Sequence, residues 1–400
     1  MIIKNEKMYL DTIDILSNKD VIYFCFDSII NCFYDIQTKK IYTICDDNIE
    51  CDLYFNFLDF KFKNILFYDY KKKSVNNIYD LNTYLYYFYN QNIDFSSLLF
   101  KHKKFYGEYI YYLIPPTIIE DIILDELSSH NFQEITDDFI SYNNVVNEVC
   151  GYINSSGIYY DNEIYFSNLK YNNVTGRPSN SSNNINWMAL QKNSDYRKNI
   201  TSRFTDGILI QFDYSSFHFK IIADLINYYY DYNDNMHYKL AKEYFNKEDI
   251  TSEEYEIAKS NNFKLLYGYS DSNNDSEFIR LMNLFIDNLY KKFVKDTYIE
   301  TYFFKRKIKF EYLSDVNPKK IFNYYIQSFE TEYNLIIMND IIDLLSNYNT
   351  KLMLYTYDSF LFDFDKNDGE ELLHDINNII SQHYMCSISV GNDYDNLSFF

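Results

Sequence analysis

The chain lacks the signatures of several protein classes. Its six cysteines form no C-x-x-C pair and have no neighbouring histidine at zinc spacing, which predicts reduced, buried thiols and no metal finger. No apolar segment follows the charged N-terminus as in a signal peptide, and no apolar run reaches the ~18 residues that a membrane span needs. We therefore expect a cytoplasmic protein.

Basic residues are too few to offset the acidic ones, and the formal net charge is −21 at pH 7. Phosphate contacts release counterions only where Lys and Arg are clustered, so the composition excludes a general nucleic-acid-binding surface. Any path for DNA must therefore be local. The candidate basic patches are Lys71–Lys73, Lys101–Lys104, Lys305–Lys307 and Lys319–Lys320. We interpret the first two as solvated surface runs.

Glycine and proline are also scarce, with 8 Gly and 4 Pro, whereas Asn, Tyr, Ile, Phe, Asp and Lys are abundant. The abundant residues share A/T-rich codons, so we interpret the 45 tyrosines first as genome bias. This bias and the compact length are typical of a phage or another mobile element. With 47% apolar residues in 400 positions, the chain can bury a core and is long enough for two or three domains or subdomains.

Hydrophobic periodicity predicts a small α/β unit in the first 105 or so residues. Its predicted strands are Val21–Phe26, Cys32–Ile36, Ile41–Cys45 and Ile65–Tyr68, and its predicted helices lie near Met8–Leu16 and Leu81–Tyr89. From Thr117 to about Tyr152, apolar residues at helical spacing indicate two helices in antiparallel contact. The Asn- and Ser-rich stretch Tyr171–Tyr196 is typical of a loop or extended chain.

Further along, the pattern predicts a strand that ends at Asp213, a helix over Phe217–Tyr230, a helical block over Asn235–Lys295 and a hairpin that carries Asp358. In the returning strand of that hairpin, Phe360, Phe362 and Phe364 alternate with other residues, as expected for a sheet with one buried face.

Asp213 and Asp358 each stand where a short apolar strand breaks off. Two carboxylates at the strand ends of one sheet can hold a pair of Mg²⁺ ions about 3.5–4 Å apart. Such a pair activates an attacking hydroxyl and stabilises a leaving pyrophosphate. The sequence therefore predicts polymerase chemistry, with Asp213 and Asp358 as metal ligands.

Six segments support this prediction because they occur in one order. They are Thr175-Gly176-Arg177-Pro178-Ser179, Asp213-Tyr214-Ser215, Asn235-Met236-His237 with Ala258-Lys259 to Tyr267-Gly268, Tyr298-Ile299-Glu300-Thr301 with Lys305-Arg306, Asn323-x-x-x-Gln327, and Tyr357-Asp358-Ser359. In this order they resemble the motifs of the family A DNA polymerases, which include bacterial DNA polymerase I and many phage replicases. The resemblance covers about the last 225 residues.

The resemblance implies an α+β right-hand polymerase fold, with an antiparallel palm sheet and helical fingers and thumb, plus a small N-terminal α/β domain. It implies two Mg²⁺ ions, with Mn²⁺ as an alternative, held by Asp213, Asp358 and the backbone carbonyl of Tyr214. The implied catalytic residues are Asp213, Asp358 and Lys259, and Lys259 would bind the triphosphate and protonate the leaving pyrophosphate.

The resemblance also implies the binding residues. The implied nucleotide contacts are Tyr214, His218, His237, Lys259, Phe263 and Tyr267. The implied primer-template contacts are Arg177, Gly268, Arg306, Lys319, Asn323 and Gln327. Lys259, Phe263 and Tyr267 are four residues apart, so on a helix they form one stripe that offers a cation, a ring and a hydroxyl to a ligand.

Several residues depart from the family pattern. His218 replaces the glutamate that packs against the sugar, which puts sugar discrimination in question. Tyr255 replaces an arginine one turn before Lys259, and Ser359 replaces the glutamate that follows the second aspartate. Lys264 replaces a glycine after Phe263, and Lys319 replaces an arginine, keeping the charge but losing the bidentate geometry. We therefore expect an active but divergent enzyme.

The sequence predicts five segments: an N-terminal α/β domain over 1–105, a thumb over 106–170, a first palm part over 171–230, fingers over 231–311 and a second palm part over 312–400. A proofreading exonuclease would need a D-x-E on a strand near the N-terminus, but Asp27-Ser28-Ile29 has isoleucine at the glutamate position. We therefore expect a shrunken, inactive exonuclease-like or partner-binding domain, and synthesis without proofreading.

The leading hypothesis is template-directed DNA synthesis from a primer by a monomer that uses primer-template DNA and deoxynucleoside triphosphates, with replisome proteins as further partners. Two alternatives remain open. One is a single-subunit RNA polymerase, which lacks the sugar gate. The other is a non-catalytic nucleic-acid-binding replisome protein derived from a polymerase, which the net acidity, Tyr255 and Ser359 favour.

Overall fold

The computed structural model describes residues 2–3, 16–26, 30–45, 64–67, 78–89, 124, 127, 132–133, 135–171, 173–182, 185–266, 276–310 and 315–399. The chain divides into two compact units, residues 1–147 and 148–400. The five predicted domain boundaries stay a prediction.

The N-terminal unit contains a mixed sheet. Its strands are β1 (Ile2–Ile3), β2 (Asp20–Phe26), β3 (Ile30–Asp35), β4 (Lys40–Cys45), β5 (Asn64–Phe67) and β6 (Ile78–Asp80), in the order β1-β4-β3-β2-β5-β6. Strands β2, β3 and β4 are antiparallel, and β5 and β6 run parallel to β2. Helix α1 (Leu81–Tyr89) follows β6 directly and buries Tyr84, Tyr87 and Phe88. The four predicted strands and this helix are confirmed.

Several predicted features lie outside the described residues. They are most of the helix near Met8–Leu16, the segment Asp27–Ile29, the two basic patches before residue 105 and most of the first helix after Thr117. The second predicted helix of that pair is confirmed as α2 (Asp137–Ser156).

The C-terminal unit is built on an antiparallel sheet in the order β15-β16-β12-β17-β18. Its strands are β12 (Ile208–Tyr214), β15 (Lys351–Tyr355), β16 (Ser359–Phe364), β17 (Cys386–Gly391) and β18 (Ser398–Phe399). The apolar core on one face contains Trp187, Leu209, Met353 and Leu361. This sheet positions the predicted metal ligands, since β12 carries Asp213 and the β15–β16 turn carries Asp358.

Strand β16 differs from the prediction of a single buried face, because every residue from Ser359 to Phe364 is buried. The polar position Asp363 is buried because Arg203 Nε donates to its carboxylate at 2.7 Å and Ser202 Oγ at 2.6 Å. A paired and hydrogen-bonded carboxylate can lie inside a core. The period-two pattern therefore predicted the strand correctly but not the burial of both of its faces.

Short elements precede the sheet: β7 (Ile158–Tyr160), β8 (Glu163–Tyr165), β9 (Leu169–Lys170), β10 (Ser179–Ser182), β11 (Ile185–Asn186) and α3 (Asp195–Lys198). The helices after β12 are α4 (Phe217–Leu225), α5 (Met236–Phe245), α6 (Ser252–Leu266), α7 (Glu277–Asp296), α8 (Pro318–Leu345) and α9 (Gly369–Ile380). A small hairpin, β13 (Tyr298–Glu300) with β14 (Lys307–Lys309), lies between α7 and α8.

Local chemistry sets the helix ends. Helix α8 starts where the side chain of Asn317 accepts from the amide of Lys320 and Pro318 takes the first helical position. Helix α4 ends at Leu225, five residues before the predicted end, because Asn227 adopts a left-handed φ of 53°.

The α+β class is confirmed by these elements. Within the described residues, no helix is both long enough and apolar enough to cross a membrane. Of the cysteines in the described part of the chain, Cys32, Cys150 and Cys386 are free thiols.

Candidate functional site

One predicted metal ligand, Asp213, lies on β12, and the other, Asp358, lies in the turn that leads into the neighbouring strand β16. In the β12–β16 ladder, Asp213 pairs with Ser359, the residue that follows Asp358. The amide of Tyr214 donates to the carbonyl oxygen of Asp358 at 3.1 Å. Both aspartates keep solvent-exposed surface. The fold thus brings together two carboxylates that are 145 positions apart in the numbering of the chain.

The electrostatics of this pair suit a cation. Loss of water around the carboxylate, followed by the negative charge of Asp358, raises the pKa of Asp213 to about 6, and nearby Lys192 acts in the opposite direction. Burial, followed by the charge of Glu330, also raises the pKa of Asp358. Carboxylates with raised pKa values repel one another when both are ionised, and a bound divalent cation relieves that repulsion.

The ligand set fits magnesium better than a transition metal. Among the described residues, no three His, Cys, Asp or Glu side chains converge on one point. Mg²⁺ is typically bound by one or two carboxylates and keeps the rest of its shell for water and substrate phosphates. Asp213, Asp358 and the backbone of Tyr214 match that pattern, and the metal assignment itself stays a proposal.

The turn that carries Asp358 is held by hydrogen bonds on both sides. Thr356 and Ser359 close it through the Thr356 amide, which donates to the Ser359 carbonyl at 2.9 Å, and through their hydroxyls at 2.6 Å. Tyr357 has a φ of 61°, a left-handed conformation that costs a non-glycine residue free energy. Asn334 of α8 donates to the Tyr357 carbonyl at 2.6 Å and so supports this conformation.

A buried ionic cluster lies beside the turn. Glu330 of α8 is 1% exposed, and one of its oxygens accepts from Arg177 Nε at 3.0 Å and Nη2 at 2.6 Å. Its other oxygen lies 3.1 Å from Nε2 of His218, in the first turn of α4. The Arg177 guanidinium also stacks over the ring of Tyr357 at 4.8 Å. Arg177, His218 and the Asp358 turn are therefore one connected structure.

The segment before Arg177 needs a glycine. Gly176 has a φ of 84°, and its amide donates to the carbonyl of Asn173 at 2.8 Å. The side chain of Asn173 then donates to the Arg177 carbonyl at 2.7 Å. Glycine adopts this left-handed conformation without a steric penalty, so the turn can aim Arg177 at α8.

Helices α5 and α6 bring His237 and Lys259 together. His237 is 7% exposed, and its Nδ1 lies 3.4 Å from the side-chain amide of Asn262. Burial, followed by the charge of Lys259, lowers the pKa of His237 to about 4, so its imidazole is neutral at pH 7. The Lys259 ammonium lies 5.8 Å from the ring centre of Tyr255. The residue that replaces the family arginine thus contacts this lysine as a cation–π partner.

The structure describes the other predicted nucleotide-binding residues less completely. Phe263 lies on α6, four residues after Lys259 as predicted, but its side chain, Tyr267 and Gly268 are outside the described residues. The ring of Tyr214 is buried and stacks on Phe217 at 4.2 Å, and its hydroxyl donates to the Ile380 carbonyl at 3.2 Å. A nucleotide contact by that ring stays a prediction, which its packing in the core does not favour.

The predicted primer-template residues of α8 form one stripe. Lys319, Asn323 and Gln327 are four residues apart and partly exposed, and Gln327 Nε2 donates to Asn323 Oδ1 at 2.9 Å. Arg306 is different, since it is 0% exposed and its Nη1 donates to the Val174 carbonyl at 3.2 Å. Its predicted contact with DNA stays a prediction, and its burial favours a structural role.

Three residues at the site were not identified from the sequence. Glu330 and Asn334 are buried polar residues one turn apart in the middle of α8, and Lys192 is an exposed cation close to Asp213. Polar residues inside the longest helix were the available signal for the first two. Lys192 carries no signal of its own, because it lies in a loop far from any motif.

The comparisons with known proteins agree with this geometry. No family model matches the chain. Over 268 residues the chain is 25% identical to the DNA polymerase I of Synechocystis sp. (strain ATCC 27184 / PCC 6803 / Kazusa), a match that covers 54% of this chain and 26% of that protein. Among solved structures, it resembles the POL domain of Pol1 from M. smegmatis in complex with DNA primer-template and dNTP. That likeness has a TM-score of 0.50 at 16% identity, and covers 76% of this chain and 56% of that one.

The chain therefore spans about a quarter of the curated relative and about half of the solved domain. The structural likeness shows the fold alone. The predicted resemblance and the predicted polymerase fold are confirmed.

Proposed function

We propose that this family A DNA polymerase-like chain is a DNA-directed DNA polymerase. In this proposal it adds deoxynucleotides to a primer 3′ end under the direction of a template, by two-metal nucleotidyl transfer. The observation that carries the proposal is the proximity of Asp213, near the end of β12, to Asp358, in the turn before the neighbouring strand β16, where both residues keep exposed surface and have raised pKa values. A scaffold protein has no physical need for such a destabilising pair.

Asp213 and Asp358, with the Tyr214 carbonyl, would hold Mg²⁺ or Mn²⁺. When bound, the ions lower the pKa of the attacking hydroxyl and stabilise charge on the leaving pyrophosphate. The hydrogen-bonded Asp358 turn fixes the direction of one carboxylate, and the β12 ladder fixes that of the other. Lys259 would bind the triphosphate and give a proton to the leaving group.

The uneven charge of the chain is compatible with DNA binding. Lys319, Asn323 and Gln327 present one cation and two amides along the outer face of α8, which would contact the primer-template backbone and minor groove. At the end of this stripe, Glu330 and Arg177 connect α8 to the metal site. Positioning of this kind supplies a large part of the rate in transfer reactions between two bound substrates.

Primer extension with purified protein tests the proposal. A labelled primer-template, Mg²⁺ and the four deoxynucleotides should give extended products, and Asp213→Ala should abolish them. Asp206→Ala is the matched control, because Asp206 is an exposed aspartate just before the same strand and should extend as the wild type does. Absence of extension by the wild type, or full activity of Asp213→Ala, would contradict the proposal.

The same assay separates the alternatives. Preferential use of ribonucleotides would indicate a single-subunit RNA polymerase. Template binding without product, whichever metal ion and whichever type of nucleotide is supplied, would indicate a non-catalytic replisome protein. The neutral, buried imidazole of His237 favours that alternative. Synthesis without proofreading, phage origin, a monomeric state, replisome partners and a cytoplasmic location remain predictions.

A further inference from the structure

Glu330 is an unusual feature of the site because it is a carboxylate buried in the middle of a helix. It is 1% exposed, and loss of water on its own would raise its pKa. The charges and hydrogen bonds of His218 and Arg177 outweigh that effect and keep the pKa below its usual value, so Glu330 is an anion at pH 7. Burying an ion costs free energy unless its partners are fixed. Both partners of Glu330 are residues of the proposed nucleotide and DNA site.

The contact with His218 has one consistent proton arrangement. Nε2 of His218 lies 3.1 Å from Glu330 Oε1 and 3.3 Å from Arg177 Nη2. The guanidinium can only donate, and the carboxylate can only accept. Because the carboxylate is the nearer partner and needs donors, the contact is best satisfied when Nε2 carries the ring proton and donates to Glu330, with Arg177 beside the ring. The hydrogen bond then fixes the plane and the rotation of the imidazole.

By the family resemblance, the sugar of an incoming nucleotide would lie beside this ring. His218 is in the first turn of α4, just after the Asp213 strand, and its side chain is 26% exposed. It stands at the sequence position where family A polymerases carry a glutamate. The ring also lies near Asp358. The ring is therefore partly open to solvent but held by its contacts with Glu330 and Arg177.

We propose that Glu330 is a positioning residue for sugar selection, which fixes the His218 ring so that the ring closes the space beside the 2′ carbon of an incoming deoxynucleotide. The inference rests on the proposed function and deepens it. This chain has His218 where the family carries a glutamate, and Glu330 of α8 supplies a carboxylate that contacts the His218 ring. Glu330 itself touches no substrate and acts through His218.

The competing explanation is that Glu330 is only a counter-ion for Arg177. Glu330→Asp withdraws the carboxylate from both Arg177 and His218, and comparing its effect with and without the His218 ring separates the two ideas. Glu330→Ala removes both contacts. His218→Ala opens the space directly and defines the sugar preference of a site without the ring.

The experiment measures kcat/KM for a deoxynucleotide and for the matching ribonucleotide in single-nucleotide primer extension. The ratio of kcat/KM for the deoxynucleotide to kcat/KM for the ribonucleotide should be lower by about tenfold or more in Glu330→Asp and in His218→Ala than in the wild type. In the His218→Ala background, adding Glu330→Asp should not change the ratio further, because the ring through which Glu330 acts is gone. Glu330→Ala should behave as Glu330→Asp does if it folds, and Glu330→Asp carries the test if it does not.

Glu332→Asp is the matched control. Glu332 is on the same helix, is also 1% exposed, and accepts from the amides of Phe303 and Phe304 at 3.3 Å. The same shortening there should lower stability and leave the sugar ratio unchanged.

Each result decides between the proposals. An unchanged ratio in Glu330→Asp, or equal effects of Glu330→Asp with and without the His218 ring, overturns the inference while extension continues. Absence of extension by the wild type overturns the proposed function, and the inference with it.

Discussion

Asn334 should control both stability and the use of metal, although it lies behind the site. It is fully buried, and its side-chain amide donates to the Tyr357 carbonyl at 2.6 Å and to the Tyr355 hydroxyl at 3.1 Å. Asn334→Leu keeps a side chain of similar size but removes both donations. We expect this change to lower the free energy of unfolding and to loosen the turn that carries Asp358.

The expected loss in the free energy of unfolding follows from the two groups that lose a hydrogen-bond donor. Tyr355 is 1% exposed, so loss of this donor to its hydroxyl costs about 1–3 kcal/mol. The Tyr357 carbonyl is in a half-buried turn that water can reach, which puts its cost near the lower limit, about 1 kcal/mol. The expected loss is therefore about 2–4 kcal/mol. Tyr357 also stores about 1–2 kcal/mol in its left-handed conformation, which gives the freed turn a reason to rearrange and displace Asp358.

Trp187 makes the stability measurement specific. It is the only tryptophan in the sequence, is fully buried and packs with Met353 and Leu354 of β15. Its fluorescence during denaturant unfolding therefore reports on the sheet that holds both aspartates. Primer extension as a function of Mg²⁺ concentration gives the second readout, and the Asn334→Leu protein should need more Mg²⁺ for half-maximal rate.

Asn339→Leu is the control, because Asn339 is five residues along α8 and points to a different face of the helix. It should leave the Mg²⁺ dependence unchanged. Wild-type stability and wild-type Mg²⁺ dependence in Asn334→Leu would refute the reasoning.

Two further predictions concern stability. His237 has a pKa of about 4 in the folded chain against 6.5 for an ordinary histidine, so both states are neutral at pH 7 and the unfolded state alone gains a proton as pH falls. The free energy of unfolding should therefore drop by about 3 kcal/mol between pH 6.5 and pH 4, seen as the difference between wild type and His237→Gln. Asp363→Ala should cost about 3–5 kcal/mol by Trp187 fluorescence, because it leaves Arg203 without its buried partner, whereas exposed Asp206→Ala should cost almost nothing. The assigned contacts would be contradicted if the stability difference between wild type and His237→Gln did not change with pH. They would also be contradicted if Asp363→Ala lowered the free energy of unfolding only slightly.

Much of the fold could be predicted because its signals are local. The strand that ends at Tyr214 and the β15–β16 hairpin are short apolar runs broken by polar residues, and they appear where expected. Helix α4 shows the limit of such signals. Its apolar period continues into Tyr228–Tyr230, but the backbone of Asn227 turns left-handed and ends the helix earlier. The backbone conformation of Asn227 therefore ends the helix although the apolar pattern continues.

The candidate site was predictable where residues belong to ordered motifs and not where they act through distant contacts. Asp213 and Asp358 could be identified in that way. The role of Glu330 could not be predicted, because it depends on a contact with Arg177, which is 153 residues earlier in the chain. Arg306 shows the opposite case, since its place in a motif suggested an exposed cation but the fold buries it completely. Burial is set by tertiary packing, which motif spacing does not report.

The location of Glu330 has a consequence for how the chain is made. Arg177 leaves the ribosome 153 residues ahead of its counter-ion, which at ordinary synthesis rates of about 5–20 residues per second is roughly 8–30 s. During that interval the guanidinium has no anion to dock against. Helix α8 completes the ion cluster and the support of the Asp358 turn in one step, so nascent chains that stop before it should be protease-sensitive and inactive.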